Sequence, residues 1–470
     1  MLFNSYAYLF VFLPVAVLGY FAAWRHSSLA LAWLVAVSLA FYGWWNPWHL
    51  PLILGSVVIN FLIGERIKLS QSRKRFWLIA GIAANLALLG VFKYARFAAE
   101  SINAITAGTL PLPAVALPLG ISFFTFTQMA YLADTARGDV RESNPLHYGL
   151  FVTFFPHLLS GPIIHHREMM PQFANDAGRR FDAANFSRGL FLLALGFGKK
   201  VLIADPLGET ANAGYANIGG LDLAGAWTTT LAYTFQIYFD FSGYTDMALG
   251  AALMFNIRLP VNFNSPYLST NIQDFWRRWH ITLSRFLRDY LYIPLGGNRA
   301  GEVRIATNLL ATFLLGGLWH GAGWTFIVWG GLHGLALVVH RIWQRLGFRL
   351  PEVLAIFLTF LFVHVTWILF RARDLADAML MAAKLVPTGA DLAAAAPRFP
   401  TSLSVGLPYS APSPGLLLIA AACVVLVRTN SDRLAQRFAA RNWEAGYAAL
   451  LLALSVLTLS QVTQFLYFNF

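Results

Sequence analysis

Three histidines, His320, His333 and His340, fall in the run 305–340, which has no Lys, Arg, Asp or Glu. The stretch around the first reads Gly316-Gly-Leu-Trp-His-Gly-Ala-Gly-Trp324, so His320 lies among small residues and tryptophans. Histidine is the side chain whose charge is most readily poised near neutrality. A buried neutral imidazole can take a proton from a hydroxyl as that hydroxyl attacks an acyl carbon. Glycines let a backbone or a substrate approach closely, and Trp319, Trp324 and Trp329 offer apolar walls with N–H donors. Against this stands the plainer reading that these histidines hydrogen-bond across helices. A metal is not expected. His157, His165 and His166 lie close in sequence, but no Cys or acidic residue completes a familiar ligand spacing.

The second chemistry-bearing stretch is 258–304. It contains Asn271-Ile-Gln-Asp-Phe-Trp-Arg-Arg-Trp-His280 and continues through Arg285, Arg288 and Asp289. Phe275, Trp279, Leu283 and Phe286 recur at helical spacing, with Arg278 and Arg285 off that face. The pattern predicts one amphipathic helix at a bilayer interface or in a cytoplasmic cleft. Its arginines either pair with Asp274 and Asp289 or clamp phosphates, which a planar guanidinium holds through two oxygens at once. Arg277, Arg278, Arg285 and Arg288 are therefore the candidate donor-binding residues, together with Trp324 at the acyl end. A phosphopantetheine or nucleotide donor would supply the phosphates. Asp240 and Asp246 stand in the apolar stretch 223–257, where a carboxylate must face protein or a wet cavity. A structural use is the expectation for them, by bonding to Arg or Tyr or by capping a break near Gly243, with a proton-relay or substrate role as the alternative.

What positions these residues is a membrane fold. Hydrophobic types make up 57% of the 470 residues and charged types 12%, about half the charge of a soluble domain. The runs 2–24, 27–64, 101–133, 305–340, 353–370 and 445–469 carry no Lys, Arg, Asp or Glu. About 20 apolar residues cross a bilayer. The runs 27–64 and 305–340 are each long enough to cross twice, broken at Asn46-Pro47 and at Gly321 to Gly323. Helices are the default because unpaired backbone in hydrocarbon is costly. The expectation is an all-α polytopic membrane protein with roughly 11–13 transmembrane or re-entrant helices. It forms one domain over 1–470, with 258–304 as its mouth region and 305–343 as its catalytic helices. Pro111, Pro113 and Pro118-Leu-Gly120 predict a broken or re-entrant element over 112–134, and 387–412 reads as an extramembrane connection. No basic region precedes 2–24, so a retained first helix is expected rather than a signal peptide. Arg66, Lys68, Arg73, Lys74 and Arg75 form a basic loop that belongs in the cytoplasm, which places the N-terminus outside. The net charge of +12 sits beside membrane segments, so it speaks for topology and anionic lipid rather than nucleic acid. The single Cys423 excludes an intrachain disulfide.

The chain resembles the bacterial branch of the membrane-bound O-acyltransferase family, which includes alginate and peptidoglycan O-acetyltransferase membrane subunits and, more distantly, the D-alanyl transfer protein of teichoic acid modification. The resemblance rests on Met1-Leu-Phe-Asn-Ser5, Ile121-Ser-Phe-Phe-Thr-Phe-Thr-Gln128, Phe154-Phe-Pro-His-Leu-Leu-Ser-Gly-Pro162, Phe239-Asp-Phe-Ser-Gly-Tyr244, Asp274-Phe-Trp-Arg-Arg-Trp-His280 and Leu318-Trp-His-Gly-Ala-Gly-Trp324. It implies helices around a central tunnel in the bacterial inner membrane, with His320 catalytic and His333 a second functional histidine. It matches Asp274 and Arg277 to an element near the cytoplasmic mouth. It also implies acetyl transfer from a cytoplasmic thioester, acetyl-CoA or an acyl carrier protein, with no permanently bound cofactor. The group would pass to an extracytoplasmic partner protein and then to a polysaccharide such as alginate, peptidoglycan or cellulose. Indole N–H groups, a backbone N–H near Gly321 to Gly323, or His333 are candidate donors to the oxyanion. A transporter or flippase for lipid-linked saccharide, or a scaffold subunit, would need similar walls and arginines. Neither requires donor cleavage.

Overall fold

The computed structural model describes residues 1–470 except 71, 141, 300, 388–412, 428, 460–465 and 467–470. Most of the expected connection over 387–412 lies outside the described residues. Most of those described are helical, and no strand occurs among them.

In chain order the helices are α1 (Leu13–Ala22), α2 (Ser27–Gly43), α3 (Leu50–Leu69), α4 (Lys74–Leu89), α5 (Ala95–Thr106), α6 (Ile121–Arg137), α7 (Pro145–Thr153), α8 (Phe155–Leu158), α9 (His166–Ala174), α10 (Ala183–Phe197), α11 (Asp205–Ala216) and α12 (Leu223–Met254). Then come α13 (Ile272–Arg278), α14 (Ile281–Leu287), α15 (Glu302–His320), α16 (Trp324–Leu346), α17 (Glu352–Arg371) and α18 (Leu375–Lys384). Three more follow at Pro414–Leu426, Ser431–Arg437 and Asn442–Leu457. Both expected breaks are present. Asn46 caps a short turn at Pro47–His49 through a bond from the Trp48 N–H, and Gly321 to Gly323 separates α15 from α16.

Among the described residues, four helices are long and apolar enough to cross a membrane: Pro47–Leu69, Lys74–Thr106, Trp324–Leu346 and Glu352–Arg371. The bent pair Pro414–Leu426 and Ser431–Arg437 would make a fifth. The four are mostly unburied by protein, as a lipid-facing helix should be. The centre is built differently. Helix α12 spans 32 residues, or about 48 Å at 1.5 Å per residue, and its residues 232–252 are all buried. Protein covers its polar groups, so α12 needs no uniformly apolar surface.

Helix α10 packs on α12 through small residues. A Cβ on Gly196 would come within 2.6 Å of the Gly243 carbonyl oxygen, and one on Gly189 within 2.6 Å of that of Gly250. Small residues let helices in a bilayer touch backbone to backbone. Gly243 is thus a crossing point in an unbroken helix, not the helix break expected from sequence. Just beyond α10 the chain widens into a π-helical turn, Gly198–Ala204. Lys199 then reaches Asp246 at 2.7 Å, while Lys200 reaches Asp240 at 2.6 Å and Asp205 at 2.7 Å. The two intramembrane carboxylates are paired structural groups.

Two other elements differ from their sequence reading. The proline-rich lead to 118 is largely exposed and non-helical, and α6 begins only at Ile121 after Gly120 in a left-handed conformation. The amphipathic stretch 271–290 is two helices. They break at Trp279–His280, where His280 takes φ 44°. The hydrophobic pattern continues across the break because Phe275, Trp279, Leu283 and Phe286 are all buried on both sides of it.

Candidate active site

His320 is the last residue of α15, 3% exposed. The hairpin that carries it is held tight by glycines: a Cβ on Gly317 would lie 2.2 Å from the Phe326 carbonyl oxygen, and one on Gly330 2.2 Å from that of Phe313. Aromatic rings enclose the imidazole. Centroids of Trp319, Trp329 and Phe370 lie 5.0, 5.2 and 5.3 Å from it, and Trp329 stands edge-on at 89°. Trp324 is not part of this cage. It is half-exposed at the start of α16 and meets Phe97 at 5.8 Å.

A buried lysine holds the end of α15. Lys93 lies in the π turn Gly90–Tyr94 between α4 and α5. Its ammonium donates to the Trp319 carbonyl at 2.5 Å, to Ser122 Oγ at 3.2 Å and, more weakly, toward the His320 carbonyl at 3.5 Å. The neighbouring Tyr94 hydroxyl donates to the Leu318 carbonyl at 3.0 Å. The final carbonyls of a helix have no partner within it and carry partial negative charge that a cation stabilises. Lys93 and Tyr94 supply both needs, and so fix where His320 sits. Lys93→Met is expected to lower kcat about tenfold with little change in donor KM. Lys93→Arg should retain most activity. Steady-state kinetics on the two purified variants check this, since about 1.4 kcal/mol of misplacement equals a factor of ten.

A second imidazole faces the first. His280 is fully buried, its ring 6.3 Å from His320 and 6.2 Å from Trp319. Asn262 fixes its tautomer. Asn262 Oδ1 accepts from the Thr282 N–H at 3.2 Å and from the Thr282 hydroxyl at 2.9 Å. Its third contact, at 3.1 Å, is therefore a bond donated by His280 Nδ1. The remaining nitrogen, Nε2, then carries the ring's lone pair. The left-handed backbone at His280 is uncommon for a residue with a Cβ, and such conformations cluster where function needs them.

His333 is placed otherwise. The Trp276 indole donates to its Nδ1 at 3.3 Å, and its Nε2 meets the Thr366 hydroxyl at 3.0 Å. That hydroxyl itself donates to the Val363 carbonyl, so Nε2–H donates to Thr366. Both nitrogens are engaged. The Trp329 ring packs on both histidines, 5.2 Å from His320 and 4.7 Å from His333. His333 thus bonds Trp276 and Thr366 and packs on Trp329.

Of the four arginines, three hold carboxylates. Arg278 pairs with Asp274 at 2.9 Å, Arg285 grips Glu168 through two nitrogens at 2.5 and 2.8 Å, and Arg288 pairs with Asp289 at 2.7 Å. The Asp289 bonds raise the Arg288 guanidinium above its ordinary pKa. Arg277 is exposed and has no carboxylate partner among the described residues. Nearby, a groove of about 1100 Å³ runs between α16 and α17 and includes His340 and Arg349. A polar network braces the same end of the bundle. Tyr290 donates to Asp134 at 2.7 Å, His166 meets Asp134 at 3.2 Å, and Arg137 donates to the Asp289 carbonyl at 3.2 Å. Glu302 at the base of α15 is held below the usual carboxylate range by Arg341 and Arg345. No group of three His, Cys, Asp or Glu able to hold a metal occurs among the described residues.

Residues 71–368 match the MBOAT family, membrane-bound O-acyltransferase. The chain belongs to that family. It is 48% identical to the peptidoglycan O-acetyltransferase of Helicobacter pylori, over 81% of this chain and 78% of the relative. It is 44% identical to a protein named probable alginate O-acetylase AlgI in Pseudomonas aeruginosa, over 81% of this chain and 74% of the relative. Similarity extends to the teichoic acid D-alanyltransferase of Bacillus subtilis, 30% identical over 54% of this chain and 69% of the relative. The chain is thus a membrane-integral acyltransferase. Its site includes residues that sequence reasoning had not singled out. Lys93 was signalled by being a charge within the apolar stretch 76–95, since ionisable groups at membrane depth are functional or paired. His280 stood in a quoted motif. Asn262 and Glu168 had no local signal.

Proposed function

We propose that the chain moves an acetyl group from a cytoplasmic thioester toward an extracytoplasmic cell-envelope glycan, alginate-like exopolysaccharide or peptidoglycan, by way of a partner protein outside the membrane. The observation that carries the reading is His320 itself: a buried imidazole at the end of a helix, clamped from behind by Lys93 and faced by His280, in a family of acyltransferases. The names of the relatives supply the acetyl group and the class of glycan.

The basic loop between α3 and α4 orients the molecule. Lys68 in α3 bonds the Glu142 carbonyl and the Ser143 hydroxyl, which puts residues 142 and 143 at the same end. Arg137 joins that end to Asp289. By the positive-inside rule this end is cytoplasmic, and so is the arginine-rich mouth. Helix α15 starts there at Glu302 and carries His320 roughly 27 Å along its axis. A thioester donor, acetyl-CoA or an acyl carrier protein, docks its phosphates at the mouth, and its acyl end travels inward. Rings must move aside to admit it, because His320 is enclosed by Trp319, Trp329 and Phe370.

Arg277 is the guanidinium of the four whose charge is not neutralised, so it is the one assigned to donor phosphate. Arg277→Ala is expected to raise the donor KM about tenfold with kcat nearly unchanged, as loss of one charge-assisted hydrogen bond would. Arg288→Ala should change KM less. The reading as a whole is tested by incubating the purified chain with isotopically labelled acetyl-CoA and following thioester loss, with and without candidate extracytoplasmic partners. A donor that stays intact in every combination would refute it. Translocation of a lipid-linked saccharide without thioester cleavage would establish the transporter reading in its place.

A further inference from the structure

Two buried indole nitrogens near His320 have no hydrogen-bond partner among the described residues: those of Trp319 and Trp329. Leaving a buried donor unmade costs about 1–3 kcal/mol, and native interiors rarely accept that without a use for the group. Two other buried tryptophans nearby are satisfied. Trp276 donates to His333, and Trp367 donates to the Tyr267 hydroxyl at 3.2 Å. Both unpartnered indoles pack directly on His320.

The two indoles are not equivalent. Trp319 lies in an aromatic layer with Phe123 at 5.4 Å and Phe126 at 5.3 Å, and the Lys93 ammonium stands 5.8 Å from its ring. Trp329 comes from the opposite arm of the hairpin and stands perpendicular to the imidazole. It is 1% exposed, stacked against Trp367 at 5.7 Å and packed on His333 at 4.7 Å. Those neighbours leave its ring a single orientation. A rigid, water-excluded donor is what stabilises charge as it develops, because nothing must reorganise at the moment of reaction.

We propose that the indole N–H of Trp329 receives the oxyanion formed on the thioester carbonyl. The inference rests on the acyl-transfer reading above and assigns a residue within it. The acceptor hydroxyl oxygen bonds to the carbonyl carbon while His320 takes the hydroxyl proton. The carbonyl π pair moves onto oxygen, and the Trp329 N–H donates to that oxygen. Collapse re-forms the carbonyl and breaks the carbon–sulfur bond. The thiolate leaves with the proton returned from the imidazolium. His333, whose nitrogens are both occupied, keeps Trp329 in place and does not itself donate.

Replacing Trp329 with 3-benzothienylalanine tests this, since sulfur takes the place of the N–H in a ring of nearly the same shape. The expected result is a kcat for thioester consumption lower by on the order of 100-fold, typical for loss of one oxyanion donor, with donor KM within about threefold. Thermal stability in detergent should be unchanged or higher, because no ground-state hydrogen bond is lost. Trp329→Phe should show the same kcat loss with some destabilisation from its smaller ring. A kcat within about threefold of wild type in the benzothienyl protein overturns the proposal, and so does a marked drop in its melting temperature, which would mean that the N–H holds a structural bond. Trp329 failing while His320→Ala is inactive removes only this assignment; His320→Ala remaining active removes the acyl-transfer reading beneath it.

Discussion

His320→Ala is expected to abolish acyl transfer while leaving the protein folded. A positioned general base contributes about 10²- to 10⁴-fold, and an alanine here retains no group able to take the hydroxyl proton. His280 does not substitute for it, because its ring centroid lies 6.3 Å from that of His320. The fold should survive, because the elements around His320 are fixed independently of its ring. Lys93 and Tyr94 grip backbone carbonyls of residues 318 to 320, which alanine keeps. The Gly317–Gly330 crossing also involves no part of the imidazole. The measurement is thioester consumption by the purified variant, with size-exclusion behaviour and donor binding as controls for folding. Turnover near that of wild type, with binding intact, would remove His320 from the chemistry. His320→Gln is the stricter companion: it keeps volume and polarity but not basicity, and should be as inactive as alanine.

The hairpin that presents this histidine was legible in sequence because its signals are local. A charge-free run long enough for two crossings, interrupted at Gly321 to Gly323, leaves few alternatives, and α15 ends and α16 begins where that interruption predicts. The turn at Asn46-Pro47 was legible for the same reason. The break at Trp279–His280 was hidden because no Gly or Pro marks it. Tertiary bonds to Asn262 and the burial of rings on both sides hold His280 in its left-handed conformation instead. The arginines illustrate another limit. Arg278 and Arg288 found partners four and one residues away, within reach of a sequence argument, whereas Arg285 found Glu168 across 117 positions. Only the folded chain brings that pair together, and with it the conclusion that Arg277 is the exposed, unneutralised member. The central helices were hard to count for a further reason. Hydropathy reports lipid contact, and α12 touches so little lipid that it can carry Asp240, Asp246 and several hydroxyls.

Asp240→Ala should destabilise the protein more than any other single change at a site remote from the chemistry. Asp240 is 1% exposed and Lys200 is 3% exposed. The Asp240 carboxylate pairs with the Lys200 ammonium at 2.6 Å through one oxygen and accepts from the Leu466 backbone N–H at 2.9 Å through the other. Removing it deprives a buried ammonium of one of its two carboxylates and leaves that N–H without its acceptor. Breaking a buried ion pair from one side costs about 3–5 kcal/mol. Most of that cost comes from stranding the surviving charge rather than from losing a strong attraction. The double variant Lys200→Met with Asp240→Leu should therefore recover much of the loss, since it strands no charge in the helix core. Recovery will be incomplete. Asp205 also relies on Lys200, although it lies in the first turn of α11, where the helix dipole favours a carboxylate, and it keeps partial access outside the core. Lys199–Asp246, 2.7 Å apart on the next turn of the same interface, should remain intact in both variants and hold α10 against α12. Thermal aggregation midpoints in one detergent rank the three proteins. The expected order is wild type, then the double variant, then Asp240→Ala. A double variant less stable than Asp240→Ala would show that the pair's attraction outweighs its desolvation, reversing the account of why a lysine and an aspartate lie this deep in the bundle.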